Sequence, residues 1–154
     1  MLRAMSSTAG KVVGVYVGAE SGASKTAVES AELVAGYGIS GDSHAGKDAH
    51  RQISLFESEV LQELKVEGID ISPESLSANL LIEGIALNAL PSQSRLRIGD
   101  AIIEISEARQ PCGSLTKLDR RLPKRLYQHC GVLGEIRRGG IVRAGEEVVV
   151  LSNS

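Results

Sequence analysis

The chemistry this sequence can perform centres on a thiol set in a field of cations. Residues 109 to 143 carry nine basic and two acidic side chains, whereas residues 1 to 108 carry eight basic and fifteen acidic ones. The basic groups are Arg109, Lys117, Arg120, Arg121, Lys124, Arg125, Arg137, Arg138 and Arg143, and Cys112 stands near their start. A thiol reacts as its thiolate, so nearby cations and backbone amides raise its reactivity at neutral pH. Pro111 can open a helical turn, Gly113 lets a ligand approach the backbone, and Ser114 and Thr116 add hydroxyl donors beside the sulfur. An anionic ligand is implied more than a neutral one. Two plainer readings stand beside this: most free cysteines are small buried hydrophobes, and a charge run is usually a solvated face. Cys130, between His129 and Gly131, follows apolar helical positions and reads as structural.

A second polar cluster is Gly41-Asp42-Ser43-His44-Ala45-Gly46, followed by Asp48 and His50-Arg51. Asp42, His44, Asp48 and His50 could ligate a divalent metal, but their spacing matches no standard pattern. The better expectation is a loop at the rim of the same pocket as Cys112, with Asp42 accepting backbone amides to order the turn and His44 or Arg51 facing ligand. No nucleophile elbow, P-loop or dinucleotide fingerprint is present.

These residues must be positioned by short strands. Glycine, at 17 residues, falls mostly between β-branched runs, the pattern of a mainly β domain with tight turns. Strands are expected over 11–17, 31–34 and 51–56, a hairpin over 95–106 around Gly99-Asp100, and a buried strand over 148–151. Gly139-Gly140 is a further tight-turn signal within 135–143. Val60, Leu61 and Leu64 share one face of a helix over 57–67 that Gly68 ends, and Leu122, Leu126 and Tyr127 mark a second short helix within 119–130. A compact β-barrel with a few short helices closes such a set. It would be a single domain over 11–151, with floppy ends at 1–10 and in the last three residues.

Composition agrees. A chain of 154 residues with 42% apolar side chains has the size of one ordinary domain, and a net charge of −2 argues against a polyanion-coated surface. No apolar stretch approaches the roughly 18–20 residues that cross a bilayer, and the opening MLRAMSSTAG lacks a secretory h-region, so a cytoplasmic, membrane-free protein is expected. Two cysteines are too few for a disulfide scaffold, so free thiols are expected. With four aromatic residues and no tryptophan, stacking platforms for nucleic acid are not expected.

Taken together, GDSHAG from Gly41, RQISLF from Arg51, ANLLIEGIAL from Ala78, LRIGDAIIEISEARQPC from Leu96 and EIRRGGIVRAGEEV from Glu135 resemble the MOSC domain, named after the C-terminal part of molybdenum cofactor sulfurase. The resemblance spans roughly 11–151 and suggests a small stand-alone member. It implies a barrel of the pyruvate-kinase β-barrel type, and it implies that Cys112 carries sulfur as a persulfide or faces molybdenum. Asn79 matches the asparagine of the family's Glu-Asn-Leu motif, whose glutamate is Ala78 here. Arg109, Ser114, Arg120, Arg121, Arg137 and Arg138, with Asp42, His44 and Arg51, are the residues expected to hold the anionic phosphate of a molybdenum (molybdopterin) cofactor or to stabilise the persulfide. The chain has no room for a pyridoxal-phosphate site, so sulfur would come from a cysteine desulfurase or another donor and pass to a molybdoenzyme or other cofactor acceptor. The rival expectations are a small molybdenum-cofactor-dependent oxidoreductase, like larger relatives that reduce N-hydroxylated compounds, and a non-catalytic module that binds an anion or an acidic partner.

Overall fold

The structure, a computed structural model, describes residues 8–20 and 24–151. Its strands are β1 (Ala9–Val17), β2 (Thr26–Val28), β3 (Ser30–Val34), β4 (Gly38–Ile39), β5 (Ile53–Glu57), β6 (Leu80–Glu83), β7 (Arg95–Ile98), β8 (Ala101–Ala108), β9 (Val132–Arg138), β10 (Gly140–Arg143) and β11 (Glu147–Leu151). Helix α1 (Ser58–Val66) joins β5 to β6, and α2 (Leu122–Arg125) lies between β8 and β9. The tail expected over 1–10 lies, as far as residue 7, outside the described residues, and Ala9 and Gly10 already belong to β1. No helix among the described residues is long and apolar enough to cross a membrane.

Strands β11-β7-β8-β9-β5-β6-β1 hydrogen-bond in that order, and β1 also pairs with β11, which closes a seven-stranded barrel. All pairings are antiparallel except β5 with β6, whose parallel register needs the crossover that α1 supplies. Alternation along the strands decides what fills the barrel. Ile53 and Leu55 of β5 join Val12, Ile82, Leu96, Ile103 and Ile136 in the main core, while Phe56 turns outward beneath α1 and α2. That second cluster gathers Phe56, Leu64, Ile69, Leu115, Leu122, Leu126 and Cys130. Each fully buried side chain of this size contributes about 1.5–3 kcal/mol relative to exposure, so the chain around Cys112 is anchored by Leu115 rather than hanging free.

The hairpin at Gly99-Asp100, the strands near 11–17, 31–34 and 51–56, and the first helix stand where the pattern put them. Gly68 ends α1 in a left-handed conformation, φ 86°. Three expectations change. The second helix is only four residues long, because Pro123 sits at its start and the chain turns left-handed at Gln128, φ 65°. The segment 135–143 is not a hairpin: β9 pairs with β8 and β5, and β10 crosses to β3 in a small second sheet, β10-β3-β4. Gly139 and Gly140 permit that passage, since a Cβ on Gly139 would meet the Leu33 carbonyl oxygen at 2.8 Å and one on Gly140 the Ala101 nitrogen at 3.0 Å. The C-terminal strand is buried only at Val148 and half-buried beyond it.

Candidate functional site

The loop between β4 and β5 is tied down at both ends. Asp42 is buried and its carboxylate gathers three donors: Lys25 Nζ at 2.8 Å, the Gly18 amide at 3.0 Å and the His44 amide at 3.2 Å. Burial by itself pushes this carboxyl up, but His44, Lys25 and Gly18 outweigh it and hold it far below the usual carboxylate range. Asp42 therefore orders the turn, as its position suggested, and Lys25 is its unforeseen partner. At the other end His50 Nδ1 lies 2.8 Å from Glu135 Oε1, and the Ser106 hydroxyl donates to the His50 carbonyl.

Between these anchors the loop faces β9 and the end of β8 across a cavity of about 310 Å³, lined by His44, Lys47, Asp48, Arg51, Ser54, Arg109 and Leu133. Lys47, Arg51 and Arg109 bring three positive charges, against the single carboxylate of Asp48. Arg51 reaches Glu107 only at 4.0 Å, with both side chains more than half exposed, so little of its charge is neutralised. His44 Nδ1 approaches Asp42 Oδ2 at 3.2 Å without the alignment of a hydrogen bond. The cavity lining therefore carries more positive than negative charge. Among the described residues, no group of three or more His, Cys, Asp or Glu side chains could hold a metal ion.

Arg109 links this cavity to the thiol. Its amide donates to the Gly131 carbonyl at 3.0 Å, while Asn88 brackets the same glycine with both ends of its amide, each at 2.9 Å. Gly131 is left-handed, φ 81°, and a Cβ there would run into the Leu55 carbonyl oxygen, so only glycine fits this junction. Three residues on, Cys112 is exposed in extended backbone and caps a 3-10 turn over Gly113–Lys117. Its sulfur accepts from the Ser114 hydroxyl at 3.2 Å and from the Ser114 amide at 3.5 Å. The Ser114 hydroxyl, then the Ser114 amide, against a small opposing effect of desolvation, and finally the positive charge of Arg109 lower the Cys112 thiol from its ordinary value. Thr116, expected beside the sulfur, donates instead to the Gly113 carbonyl at 2.8 Å. Cys130 is the reverse case. Buried at 1% exposure, its thiol is pushed up by desolvation, which outweighs the pull of Arg109.

The remaining candidates divide by place. His44, Arg51 and Arg109 share the cavity, whereas Cys112 and Ser114 are not among its lining residues, so the loop and the thiol are linked through Arg109 rather than by the common pocket that was expected. Asn79 is fully buried and committed to the protein: its Oδ1 accepts from the Ser54 amide, its Nδ2 donates to the Tyr16 carbonyl, and its own amide donates to Ser54. It ties β1 to β5 beneath the cavity and does not face ligand. Arg120 and Arg121 line a separate groove against α1, where Arg121 is paired with Asp119 at 2.8 Å. Arg137 and Arg138 are not brought to the site. Val132 pairs with Ala108 at the thiol's end of β9, and Arg138 pairs with Ile102 six residues away, about 20 Å along the strand. There Arg137 is engaged by Glu104 at 3.0 Å and Glu135 at 3.3 Å. The sequence reading also missed Lys47, Ser54 and Leu133 as cavity residues; Lys47 alone carried a signal, being a cation inside the singled-out loop.

Solved structures share the fold. The YuaD protein of Bacillus subtilis superimposes with a TM-score of 0.84 at 24% identity, covering 95% of this chain and 97% of that one. YiiM from Geobacillus stearothermophilus gives a TM-score of 0.74 at 19% identity over 93% of this chain and 75% of its own. YiiM from Escherichia coli gives 0.71 at 20% identity over 94% and 71%. At these identities the likeness concerns the fold. No curated protein matches the chain. The family model of the MOSC domain matches residues 40–149, a span running from the Asp42 loop through Cys112 to the last barrel strand, and the chain therefore belongs to the MOSC domain family.

Proposed function

We propose that this protein is a sulfur carrier or molybdenum-cofactor-binding protein in which Cys112 is the working thiolate and the cavity of His44, Lys47, Arg51 and Arg109 holds the anionic part of the ligand. The observation that carries the reading is the exposed Cys112 sulfur, on which the Ser114 hydroxyl and amide converge while Arg109 serves both sulfur and cavity. In the transfer step the thiolate attacks the outer sulfur of a donor persulfide, R–S–SH. The Cys112–sulfur bond forms, the donor's S–S bond breaks, the proton stays on the transferred sulfur and the donor leaves as its thiolate. No electron is gained or lost overall. Once the transferred sulfur has given its proton to water, the same Ser114 donors stabilise the anionic persulfide. The donor class is a cysteine desulfurase or another persulfide-bearing protein, and the acceptor is a molybdoenzyme or a cofactor intermediate.

The donor set also fits a molybdenum cofactor: a soft thiolate for the metal lies next to a cationic cavity for a phosphate, and a metal that arrives inside an organic ligand does not need three protein ligands. When bound, that cofactor would supply two-electron redox chemistry, while His44, Lys47, Arg51 and Arg109 would orient it. Intact-mass analysis after exposure to inorganic polysulfide separates the readings. A single added sulfur, about 32 Da, that maps to Cys112 and disappears in Cys112→Ser supports the carrier. Molybdenum near one atom per chain in protein from its own cells supports the retained cofactor. Sulfur loading confined to Cys130, with no molybdenum, overturns both.

A further inference from the structure

A groove of about 620 Å³ between α1 and α2, separate from the anion cavity, is left without an assigned role. Arg120, Arg121, Lys124 and Arg125 form its rim, Tyr127 contributes exposed apolar surface, and the buried Ile69 lies at its floor. The cations fall in two pairs, Arg121 with Arg125 and Arg120 with Lys124, and like charges gathered on one rim repel unless something neutralises them. One pair is neutralised internally. Arg121 is held by Asp119 at 2.8 Å, and Arg125 takes Glu67 through two nitrogens, each at 2.8 Å at its nearest. The other pair is held less closely: among the described residues Arg120 and Lys124 make no ion pair within 4.0 Å and stand exposed, Arg120 feeling Asp119 only at longer range. Tyr127, 60% exposed, leaves a large apolar face open beside them.

We infer that this groove docks an acidic peptide segment of the protein that exchanges sulfur with Cys112, glutamates or aspartates meeting Arg120 and Lys124 while an apolar side chain rests on Tyr127. The inference depends on the proposed carrier function. Charge complementarity names the occupant: two cations outside any ion pair, next to apolar surface, ask for carboxylates flanking a hydrophobic residue. A nucleic acid would want a longer cationic track and more than one aromatic platform. The groove is rigidly coupled to the thiol. Leu115 of the Cys112 turn packs in the same cluster as Ile69, Leu122 and Leu126, and His129 at the groove's end is two residues from Gly131, the partner of Arg109. A segment held here keeps its own protein next to Cys112.

The test is fluorescence anisotropy at low salt with a short labelled peptide of glutamates around one leucine, set against the same peptide with glutamines, a single-stranded oligonucleotide and inorganic pyrophosphate. The glutamate peptide should bind the native chain and weaken about tenfold or more in R120E/K124E and in the milder R120Q/K124Q, while Arg143→Glu, on β10, leaves it unchanged. Both altered side chains lack an internal ion pair, so melting temperature should stay near native. Polysulfide loading of Cys112 should be equal in native and R120E/K124E protein, which keeps failure of docking distinguishable from failure of the thiol chemistry. Equal peptide binding by native and R120E/K124E protein, equal binding of the glutamine peptide, or tighter binding of the oligonucleotide or pyrophosphate overturns the inference.

Discussion

Replacing Lys25 by methionine should cost more stability than any change at the cavity rim, although Lys25 touches no ligand-facing atom. Its Nζ lies 2.8 Å from Asp42 Oδ1, with the two side chains 2% and 0% exposed. Removing one partner of a buried ion pair costs about 3–5 kcal/mol, because the other charge stays buried. Asp42 would keep the Gly18 and His44 amides, so the lower end, about 3 kcal/mol, is expected. For a domain of this size that is a fall in Tm of roughly 6–12 °C. The double variant Lys25→Met with Asp42→Asn should recover much of it, since no charge is then stranded. The pH dependence has a definite sign. The Asp42 carboxyl is depressed in the folded chain, so its contribution is complete above the unfolded carboxylate value of about 3.9 and is lost as pH falls below it toward the folded value. Asp42→Asn should lack that acid-side slope. Thermal melts at pH 7 measure the stability differences, and melts carried down to about pH 2 follow the onset of the acid-side loss; a Lys25→Met protein within about 1 kcal/mol of native at pH 7 refutes the claim that this pair anchors the site loop.

Three further outcomes are expected. Ser114→Ala should slow alkylation of Cys112 at neutral pH, read by timed peptide mapping, because the hydroxyl that most lowers the thiol is gone; Cys130 should stay unlabelled until the chain unfolds. Asn79→Leu should lose about 2–5 kcal/mol in denaturant melts, since it strands the Ser54 amide and the Tyr16 carbonyl, at about 1–3 kcal/mol each. Arg109→Gln should weaken phosphate binding about tenfold by calorimetry and flatten its salt dependence, whereas Arg138→Gln, at the far end of β9, should change neither.

The sequence showed strands better than their partners. Alternation exposed β1, β5, β7 and β8, because each has one face in the barrel and the other in solvent or a second cluster. Strand β6 went unrecognised: three consecutive buried residues, Leu80 to Ile82, are apolar on both faces and give no period-two signal. The Gly139-Gly140 pair looked like a turn because glycines at a tight crossing and in a hairpin are the same letters. Site residues followed a similar division. Cys112 and Cys130 were separable because local sequence largely decides burial in a turn or after an apolar helix. The cations were not separable, since a run of nine charges says nothing about which face a strand or a turn gives each one. Lys25 carried no signal, because its role exists only once two distant loops meet.

The arrangement accounts for two cysteines of opposite character within one short stretch of chain. Gly131, held by Asn88 and by the Arg109 amide, is where the segments before Cys112 and after Cys130 cross the edge of the barrel. On the inner side Cys130 belongs to the cluster under α1 and α2, where desolvation pushes its thiol up. On the outer side Leu115 fixes the turn, so Ser114 is aimed at the Cys112 sulfur before any ligand arrives. The barrel supplies the stability and the turn supplies the chemistry, with Gly131 between them. Altering Ser114 or Arg109 should therefore change reactivity at little cost in folding, while altering Gly131 should damage both, because any side chain there collides with the Leu55 carbonyl and releases the anchor that both thiols share.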